Sequence, residues 1–298
     1  MKWIYDKFKK SMIYLFMKIS RFWTIKAVYF FRFKKPLNLK KPKTFNEKLQ
    51  YLKIFYFNAS FRKYADKVEV RKLLQEKQLE YLLNEVYFVG RKIESRIWDL
   101  LPKKFVIKAN HSSGDILIIK EKDQYKLKDV NKIISKWLKK DYSNLNGEIF
   151  YSKIDRRVLV EKYLEDDYGE IPKDYKFHCF NGKPKFIQVD IDRFGEHKRN
   201  FYDLEWNLQK FSILHPNDLE KVHEKPILLR KMIQVSETLS SGLPYCRIDL
   251  YFLSQKIVFG EITLVHGSGF EKITPKEYEI VLGNYIDVEA SNETNKFI

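Results

Sequence analysis

Two acidic residues with polar neighbours stand out in the last quarter of the chain. Asp249 follows Arg247 by two positions within a β-branched and aromatic run. Glu261 precedes Thr263 by two positions in a second run of the same kind. A turn-like segment at 253–256 separates the runs, so the pattern predicts an antiparallel hairpin. Because side chains alternate across a strand, all four can share one face of the sheet. Two carboxylates beside a guanidinium favour a site that holds Mg²⁺ against nucleotide phosphates.

A polar loop between two short apolar runs is a second candidate site. The runs at 105–108 and 116–119 predict strands, and Lys108 ends the first of them. Hydroxyls and backbone N–H groups that suit phosphate oxygens come from Ser112, Ser113 and Gly114. Loops of this composition usually only connect strands. Lys108 beside the loop, and Lys176 in a later predicted strand, favour the phosphate interpretation.

A third segment, residues 158–164, predicts a buried strand that ends in an acidic turn. The edge of such a strand offers backbone amide and carbonyl groups to a flat heterocycle such as adenine. Glu161 can accept a hydrogen bond from the exocyclic amine of adenine. The simpler interpretation is an ordinary strand followed by a solvated turn, and it would be preferred without other context.

The first 35 residues carry much of the positive charge. The 298-residue chain has a net charge of +17, of which this segment contributes +9, from ten Lys and Arg against Asp6. Lys18, Arg21 and Lys26 interrupt any apolar run long enough to cross a membrane, and no small-residue cleavage site follows an apolar core. We expect a basic, aromatic helical arm that lies on an anionic inner leaflet. The alternative is a helical pair packed on the domain with its Lys and Arg solvated.

Cysteine usage indicates where the protein works. Cys179 and Cys246 both lie in apolar, strand-like runs, which favours buried thiols in a reducing compartment. Without an export signal, we expect a cytoplasmic protein whose arm contacts the inner face of the membrane. The six histidines show no spacing typical of a zinc site.

Periodic patterns in the rest of the chain predict an α/β or α+β protein with two lobes. Thr44 and Glu47 have the spacing of a capping box, and helical spacing continues to about residue 84. Further helices are expected near 128–140 and 226–241, and further strands near 175–180 and 186–189. The expected divisions are a basic arm and linker at 1–42, a helical lobe at 43–100, a small lobe at 101–160, a large lobe with the metal site at 161–288, and a polar tail at 289–298.

The order of these segments resembles the TupA-like ATP-grasp proteins of bacterial surface-polymer clusters, named from teichuronopeptide biosynthesis. The resemblance extends from about residue 43 to 287. It is carried by residues 43–48, 107–114, 174–187, 199–206, 259–263 and 267–270. It implies an ATP-grasp fold, in which two lobes with mixed antiparallel sheets clasp the nucleotide. It also implies an ATP- and Mg²⁺-dependent carboxylate–amine ligase that acts through an acyl phosphate.

The resemblance also implies roles for residues at the nucleotide. Lys108 and Lys176 would contact the phosphates, and the loop at 110–115 would cover them. Glu161 would bind adenine together with the backbone of residues 162–164, including Lys162 and Leu164. Asp174 would hold the ribose.

On the hairpin, the resemblance implies that Asp249 and Glu261 ligate Mg²⁺. Arg247 would steady the acyl phosphate or the acceptor carboxylate, so Arg247 and Lys176 are the expected catalytic residues. ATP-grasp enzymes often have Asn where this chain has Thr263, whose hydroxyl would serve as a third ligand or hold a metal-bound water. The backbone of 267–269 would donate to the tetrahedral intermediate.

The implied reaction has two steps. A substrate carboxylate attacks the γ-phosphate, and an amine then displaces phosphate to form an amide. From the resemblance alone, the acid is expected to be a uronate within a capsular or teichuronic-type polymer. The amine would be an amino acid, an amino alcohol or an amino sugar.

Three other functions compete with the ligase. Proteins of this family are often labelled glycosyltransferases, and Asp190-Ile191-Asp192 has the spacing of a motif that holds a nucleotide-sugar diphosphate through a metal. A nucleic-acid-binding protein is disfavoured, because the positive charge is concentrated in the arm rather than along a recognition helix. A pseudo-enzyme that binds ATP without turnover is left open by Thr263.

Overall fold

A computed structural model describes residues 2–166, 169, 172–191, 196–253 and 255–288, with side chains from residue 11 onward. The helices are α1 Lys2–Ile19, α2 Arg21–Phe33, α3 Phe45–Tyr51, α4 Arg62–Ala65, α5 Glu69–Glu76, α6 Ser95–Leu100, α7 Leu127–Leu138, α8 Ser143–Asn146, α9 Leu229–Ser240 and α10 Tyr278–Asn284. The strands are β1 Val86–Gly90, β2 Phe105–Ala109, β3 Ile116–Ile119, β4 Val158–Lys162, β5 Asp174–Phe180, β6 Lys183–Ile191, β7 Lys198–Tyr202, β8 Ser212–Ile213, β9 Tyr245–Leu253, β10 Lys256–Thr263 and β11 Ile273–Thr274. The polar tail expected after residue 288 lies outside the described residues.

A small antiparallel sheet with strand order β1-β4-β2-β3 forms the first lobe. One face of it packs on the apolar side of α7, where Val130 and Ile134 meet Phe105, Ile107 and Val160 in a separate core. Strand β1 lies inside the region expected to be a helical lobe. The division expected between residues 160 and 161 falls within β4, so the small sheet spans residues 86–162.

A large antiparallel sheet with strand order β10-β9-β5-β6-β7 forms the second lobe. Helix α9 covers one face and buries Met232, Val235 and Leu239 against it. The two cysteines lie opposite each other on β5 and β9, and both are buried free thiols, as expected. The other face carries the polar side chains of the predicted site.

The predicted hairpin is confirmed as β9 and β10. Asp249 lies opposite Glu261 and Arg247 lies opposite Thr263. The register shifts by one residue between Phe259 and Glu261, so Gly260 is the extra residue of a β-bulge. Without that shift Asp249 would face residue 260, so the bulge puts the Glu261 carboxylate on the face that carries Asp249.

The expected helical lobe is a chain of short helices. Thr44 and Glu47 form the predicted capping box at the start of α3: the Thr44 hydroxyl accepts from the Glu47 N–H, and Glu47 accepts from the Thr44 N–H. A five-residue π-helix, Leu52–Tyr56, follows and fully buries Lys53. Helix α4 then packs against β10 and brings this region to the edge of the β9–β10 hairpin.

The N-terminal arm forms two helices. One side of α2 packs on the body of the protein, burying Ile25 and Tyr29. The Arg32 guanidinium donates to the Phe270 carbonyl (3.0 Å), and Lys35 pairs with Glu279 (2.7 Å). The packed-pair alternative is therefore correct for one face of α2. Among the described residues, no helix combines the length and apolarity that crossing a membrane requires.

Candidate nucleotide and metal site

The hairpin brings its four predicted residues together. Arg247 is bidentate to Asp249: Nε donates to Oδ1 and Nη2 to Oδ2, both at 2.7 Å. Arg247 Nη2 also lies 3.5 Å from Oε1 of Glu261, which is 3.4 Å from the Thr263 hydroxyl. The prediction that these side chains share one face is confirmed.

Buried charge sets the protonation of the two acids. Burial raises the pKa of Asp249, even though Arg247 opposes the shift. Burial alone would also raise the pKa of Glu261, but the cations Lys67, Arg247, Lys176 and Lys108 together hold that pKa below its usual value. Glu261 is therefore a carboxylate at neutral pH, and its side chain keeps 35% of its surface exposed.

The chemistry of the donors fits the Mg²⁺ that the fold family implies. Mg²⁺ is usually held by one or two protein carboxylates, with phosphate oxygens and waters completing an octahedron. The hairpin supplies two facing carboxylates, with the Thr263 hydroxyl beside one of them. Within the described residues, no group of three or more His, Cys, Asp or Glu forms a closed metal cage. A site with two protein ligands leaves the remaining positions to a substrate.

On the small sheet, Lys108 pairs with Glu161. Lys108 Nζ lies 2.6 Å from Oε2 of Glu161, a buried carboxylate on the neighbouring strand. The residue expected to bind phosphate, Lys108, is therefore ion-paired with the residue expected to bind adenine, Glu161. Lys162 is also engaged: its N–H donates to the Glu85 carbonyl (3.0 Å), and its carbonyl accepts from Asn84 (2.8 Å). Leu164 lies beyond the end of β4, where the chain leaves the sheet.

The loop expected to cover the phosphates is fixed over its first half. Asn110 is fully buried and donates to Asp66 (2.9 Å) and to the Asp155 carbonyl (3.0 Å). The Ser112 side chain is also buried, so its hydroxyl does not lie at the surface of the loop. Ser113 and Gly114 are exposed, and Gly114 has a φ of +85°. These two residues form the accessible tip of the loop.

Lys67 is a functional candidate that the sequence analysis missed. Its N–H donates to the Asn110 carbonyl (3.1 Å), and its Nζ donates to the Ser112 carbonyl (2.6 Å). Burial lowers its pKa, while Glu261 raises it. Lys67 thus holds the loop through two carbonyls while its charge acts on Glu261 of the hairpin. The sequence offers only an Asp-Lys pair after a short helix, which has no recognisable spacing.

Lys176 lies at the centre of the large sheet, directly opposite Asp249 in register. Its buried Nζ contacts Asp174 and lies 3.1 Å from Asp190. Asp190 also accepts from the Arg199 Nε at 2.7 Å. Burial alone would raise the pKa of Asp190, but Lys176 and Arg199 hold it far below its usual value.

These contacts bear on the Asp-x-Asp motif. Asp190 is ion-paired with Lys176 and Arg199 inside the sheet, so it is not a free metal ligand. Asp192 lies outside the described residues. The structure therefore gives the nucleotide-sugar interpretation no support at this position.

The segment after β10 contacts Arg247 through His266. His266 Nδ1 lies 2.9 Å from Arg247 Nη1, and His266 Nε2 lies 2.9 Å from Glu271. Ser268, expected to donate to a reaction intermediate, gives its N–H to the Val265 carbonyl (3.2 Å). Its own carbonyl accepts from Lys53 (2.8 Å). The turn at 267–269 is therefore tied to the helical lobe.

Comparisons with known proteins place this arrangement among known folds. A family model described as TupA-like ATPgrasp matches residues 47–287, and no curated protein matches the sequence. D-alanine–D-alanine ligase from Bacillus anthracis superimposes with a TM-score of 0.50 at 15% identity, covering 86% of this chain and 77% of that one. The same ligase complexed with ATP gives 0.46 at 17%, covering 78% and 67%. A RimK domain ATP-grasp protein from Sphaerobacter thermophilus gives 0.44 at 11%, covering 76% and 68%. The family match and the first superposition confirm the expected ATP-grasp fold.

Proposed function

Because this chain belongs to the TupA-like ATP-grasp family, we propose that it is an ATP-dependent ligase that joins a carboxylate to an amine. The position of Glu261 carries the proposal. Lys176 and Arg247 of the large sheet act on its carboxylate, as do Lys108 of the small sheet and Lys67 after α4. Cations from both lobes therefore act on the Glu261 carboxylate, as binding of a polyphosphate with its counter-ion requires.

Each residue has a role in this mechanism. Asp249 and Glu261 would hold Mg²⁺, which offsets phosphate charge during in-line transfer. Lys67, Lys108 and Lys176 bind phosphate oxygens, and the loop tip at Ser113 and Gly114 excludes water above them.

Arg247 orients the acyl phosphate. Its Nη1 and Nη2 lie next to His266 and Glu261, so the guanidinium is fixed in direction. An amine then displaces phosphate and forms the amide. Adenine would lie beyond β4, near Leu164, with Asp174 at the ribose, while Glu161 keeps Lys108 in position.

We further propose that the acid is a sugar acid of a cell-surface polymer and that the amine is a small amino compound. Family membership supports this substrate class, and the Arg247 guanidinium is suited to a carboxylate. A glycosyltransferase remains the alternative activity.

An assay of nucleotide products tests the activity. ADP release that requires both a uronate and an amine supports the ligase. Release of a nucleoside diphosphate from a nucleotide sugar in the absence of ATP would overturn it.

We also propose that the arm contacts an anionic membrane surface from the cytoplasmic side. The side of the arm that faces away from the body exposes large apolar side chains: Leu15, Phe16, Ile19, Trp23, Phe30 and Phe31. Lys26 lies over the Trp23 ring (4.7 Å), and Lys34 lies near the Phe31 ring (6.0 Å). Aromatic rings flanked by lysines suit a headgroup region that carries negative charge.

A further inference from the structure

A basic cavity of about 780 Å³ opens on the small lobe, away from the hairpin. It lies between α7, the loop after β1 and the segment before β4. Its basic lining residues are Arg91, Lys92, Lys128, Lys132, Lys139 and Arg156. Among the described residues that line it, Asp155 is the single acid, so the lining carries a formal charge of +5. A concentration of one sign of charge in a cleft attracts ligands of the opposite sign.

Side-chain hydrogen bonds hold the walls of the cavity in place. The Asn131 amide donates to the Ile93 carbonyl (2.9 Å) and accepts from the Ile93 N–H (3.0 Å), which clamps the loop after β1 to α7. Arg156 Nη1 lies 3.3 Å from the Leu138 carbonyl and fixes the opposite wall. Arg91 bridges the two walls through Asp155 at 2.6 Å. The cavity is therefore a formed feature of the fold.

Four of the cavity's six cations form no ion pair within the described residues, and one of these, Arg156, contacts only the Leu138 carbonyl. Lys92, Lys128 and Lys139 form no ion pair with any residue that the structure describes, whereas Lys132 pairs with Asp129 (3.1 Å). Three uncompensated ammonium groups around one cavity repel one another, and a ligand with several negative charges would relieve that repulsion.

The cavity adjoins the loop that covers the predicted triphosphate. Asn110 of that loop donates to the carbonyl of Asp155, a lining residue. The ring of His111 lies 3.2 Å from the Trp137 carbonyl, near the end of α7 that lines the cavity. A chain held in the cavity would therefore lie next to the active-site loop.

We propose that this cavity binds a stretch of a linear acidic glycan, which is the chain that presents its carboxylate to the ATP site. The assignment of this glycan as the acid substrate rests on the proposed ligase function. The volume exceeds what a single inorganic anion fills and lies in the range of about 300–1,000 Å³ typical of ligand sites. No aromatic residue is among those that line it, so it lacks the stacking surfaces by which proteins bind single-stranded nucleic acid.

Binding of a labelled decamer of galacturonic acid to the full-length protein, without ATP, tests the proposal. Fluorescence anisotropy measures its affinity at two salt concentrations. We expect salt-dependent binding to the wild type. The triple variant Lys92→Glu, Lys128→Glu, Lys139→Glu should bind about tenfold more weakly or worse, since three exposed charge contacts are reversed.

A matched variant separates site binding from general charge. Lys183→Glu, Lys210→Glu, Lys276→Glu makes the same change in net charge at exposed positions outside the cavity, and it should bind almost as the wild type does. Equal loss in both variants, or no wild-type binding, would overturn the proposal. Stronger binding of polyglutamate or of single-stranded DNA would overturn the glycan assignment. Titration with a fluorescent ATP analogue, run in parallel, reports on the ATP site independently, so failure of one proposal is distinguishable from failure of the other.

Discussion

At the scale of single residues, the site depends on acids and cations from both sheets that offset one another's charge. Glu261 keeps a depressed pKa because cations from both lobes offset the cost of its burial. On strand β9, Arg247 is the one residue that neutralises Asp249 directly, through two hydrogen bonds from its guanidinium. Replacing one acid therefore leaves the surrounding cations in place. The turnover of such a variant reports on the chemistry of that acid, and its unfolding reports on the stability of the fold.

Glu261→Gln and Asp249→Asn should each reduce Mg²⁺- and ATP-dependent turnover about 100-fold or more, because metal-assisted charge stabilisation contributes several kcal/mol in the transition state. ADP release at saturating ATP measures the effect, with circular dichroism to show that the fold persists. Glu237→Gln, on the exposed side of α9, is the control and should keep wild-type turnover. Wild-type activity in either site variant would show that the metal assignment is wrong.

Lys67→Met should weaken ATP binding by about tenfold to 100-fold, because it removes the proposed phosphate-binding cation and the donor to the Ser112 carbonyl. The measurement is the KM for ATP together with direct binding of a fluorescent analogue. Lys63→Met, on the exposed side of α4, should change neither quantity. An unchanged KM in Lys67→Met would leave Lys67 with only a structural role in the loop.

Glu271 provides a pH test of the contacts behind Arg247. Burial alone would raise its pKa, but His266 and Arg199 lower it from 4.5 to about 2. Because the folded-state pKa is depressed, the stabilisation is present above about pH 4.5 and is lost as the pH falls toward 2. Thermal unfolding of the wild type and Glu271→Gln should differ by on the order of 3 kcal/mol at pH 7. The difference in unfolding free energy between the wild type and Glu271→Gln should narrow between about pH 4.5 and 3. A difference that does not change with pH would contradict the depressed pKa of Glu271.

The sequence predicted the residues whose position follows from local alternation. Strand periodicity places Arg247 and Asp249 on one face of β9, and Glu261 and Thr263 on one face of β10, while the bulge at Gly260 brings the two pairs to the same face. Lys67 was not predictable, because its place beside Glu261 depends on how α4 packs against β10. The burial of the Ser112 hydroxyl and the Lys108–Glu161 pair likewise follow from contacts between segments distant in sequence.

At the scale of secondary-structure elements, one β-bulge and one close helix contact depend on glycines. The bulge at Gly260 aligns the two acids. A Cβ built there would lie 2.9 Å from the Asp249 carbonyl oxygen. In a second close approach, α10 packs so tightly on the start of α3 that a Cβ on Gly283 would lie 2.2 Å from the Lys43 carbonyl oxygen. Both glycines allow backbones to approach where a side chain would separate them.

Gly283→Ala should destabilise the protein by about 1–3 kcal/mol, because the methyl group meets backbone atoms that must move apart. Thermal or urea unfolding measures the change. Asn284→Ala, at an exposed neighbouring position of the same helix, is the control and should shift stability by less than about 0.5 kcal/mol. Equal effects would mean that the α10–α3 contact relaxes without cost.

Most elements with a strong local pattern were predicted, including the β9–β10 hairpin, β2, β3, α7 and α9. Strand β1 was missed although its residues favour a strand. Its pairing partner is β4, about 70 residues later in the chain, and no local signal specifies such a pair. The bulge was missed for the same reason, since register is fixed by both strands together.

At the scale of the whole molecule, the arm has two faces with different partners. The side of α2 carrying Ile25 and Tyr29 belongs to the protein core, so removing the arm would expose that core. The opposite side carries Trp23, Phe30 and Phe31, which the body does not cover. Substitutions on that side test membrane contact without disturbing the packing.

The triple variant Trp23→Ser, Phe30→Ser, Phe31→Ser should lose most co-sedimentation with vesicles of phosphatidylcholine and 30–40% phosphatidylserine, because it removes the apolar area that enters the headgroup region. Unchanged unfolding would show that the buried side of α2 is intact. A triple variant at the exposed apolar residues Leu219, Val222 and Ile227 is the control and should sediment as the wild type does. Equal vesicle binding of all three proteins would contradict membrane contact.

Phe270 joins the arm to the catalytic region. Its carbonyl accepts from Arg32 of α2, its ring lies 4.3 Å from the Lys53 ammonium, and Lys53 in turn holds the carbonyl of Ser268. By thermodynamic linkage, if lipid contact changes the affinity for substrate by some factor, bound substrate must change the affinity for lipid by the same factor. Occupancy of the active site would thus help to decide how long each molecule stays at the bilayer, and the residence time would report on the supply of substrate.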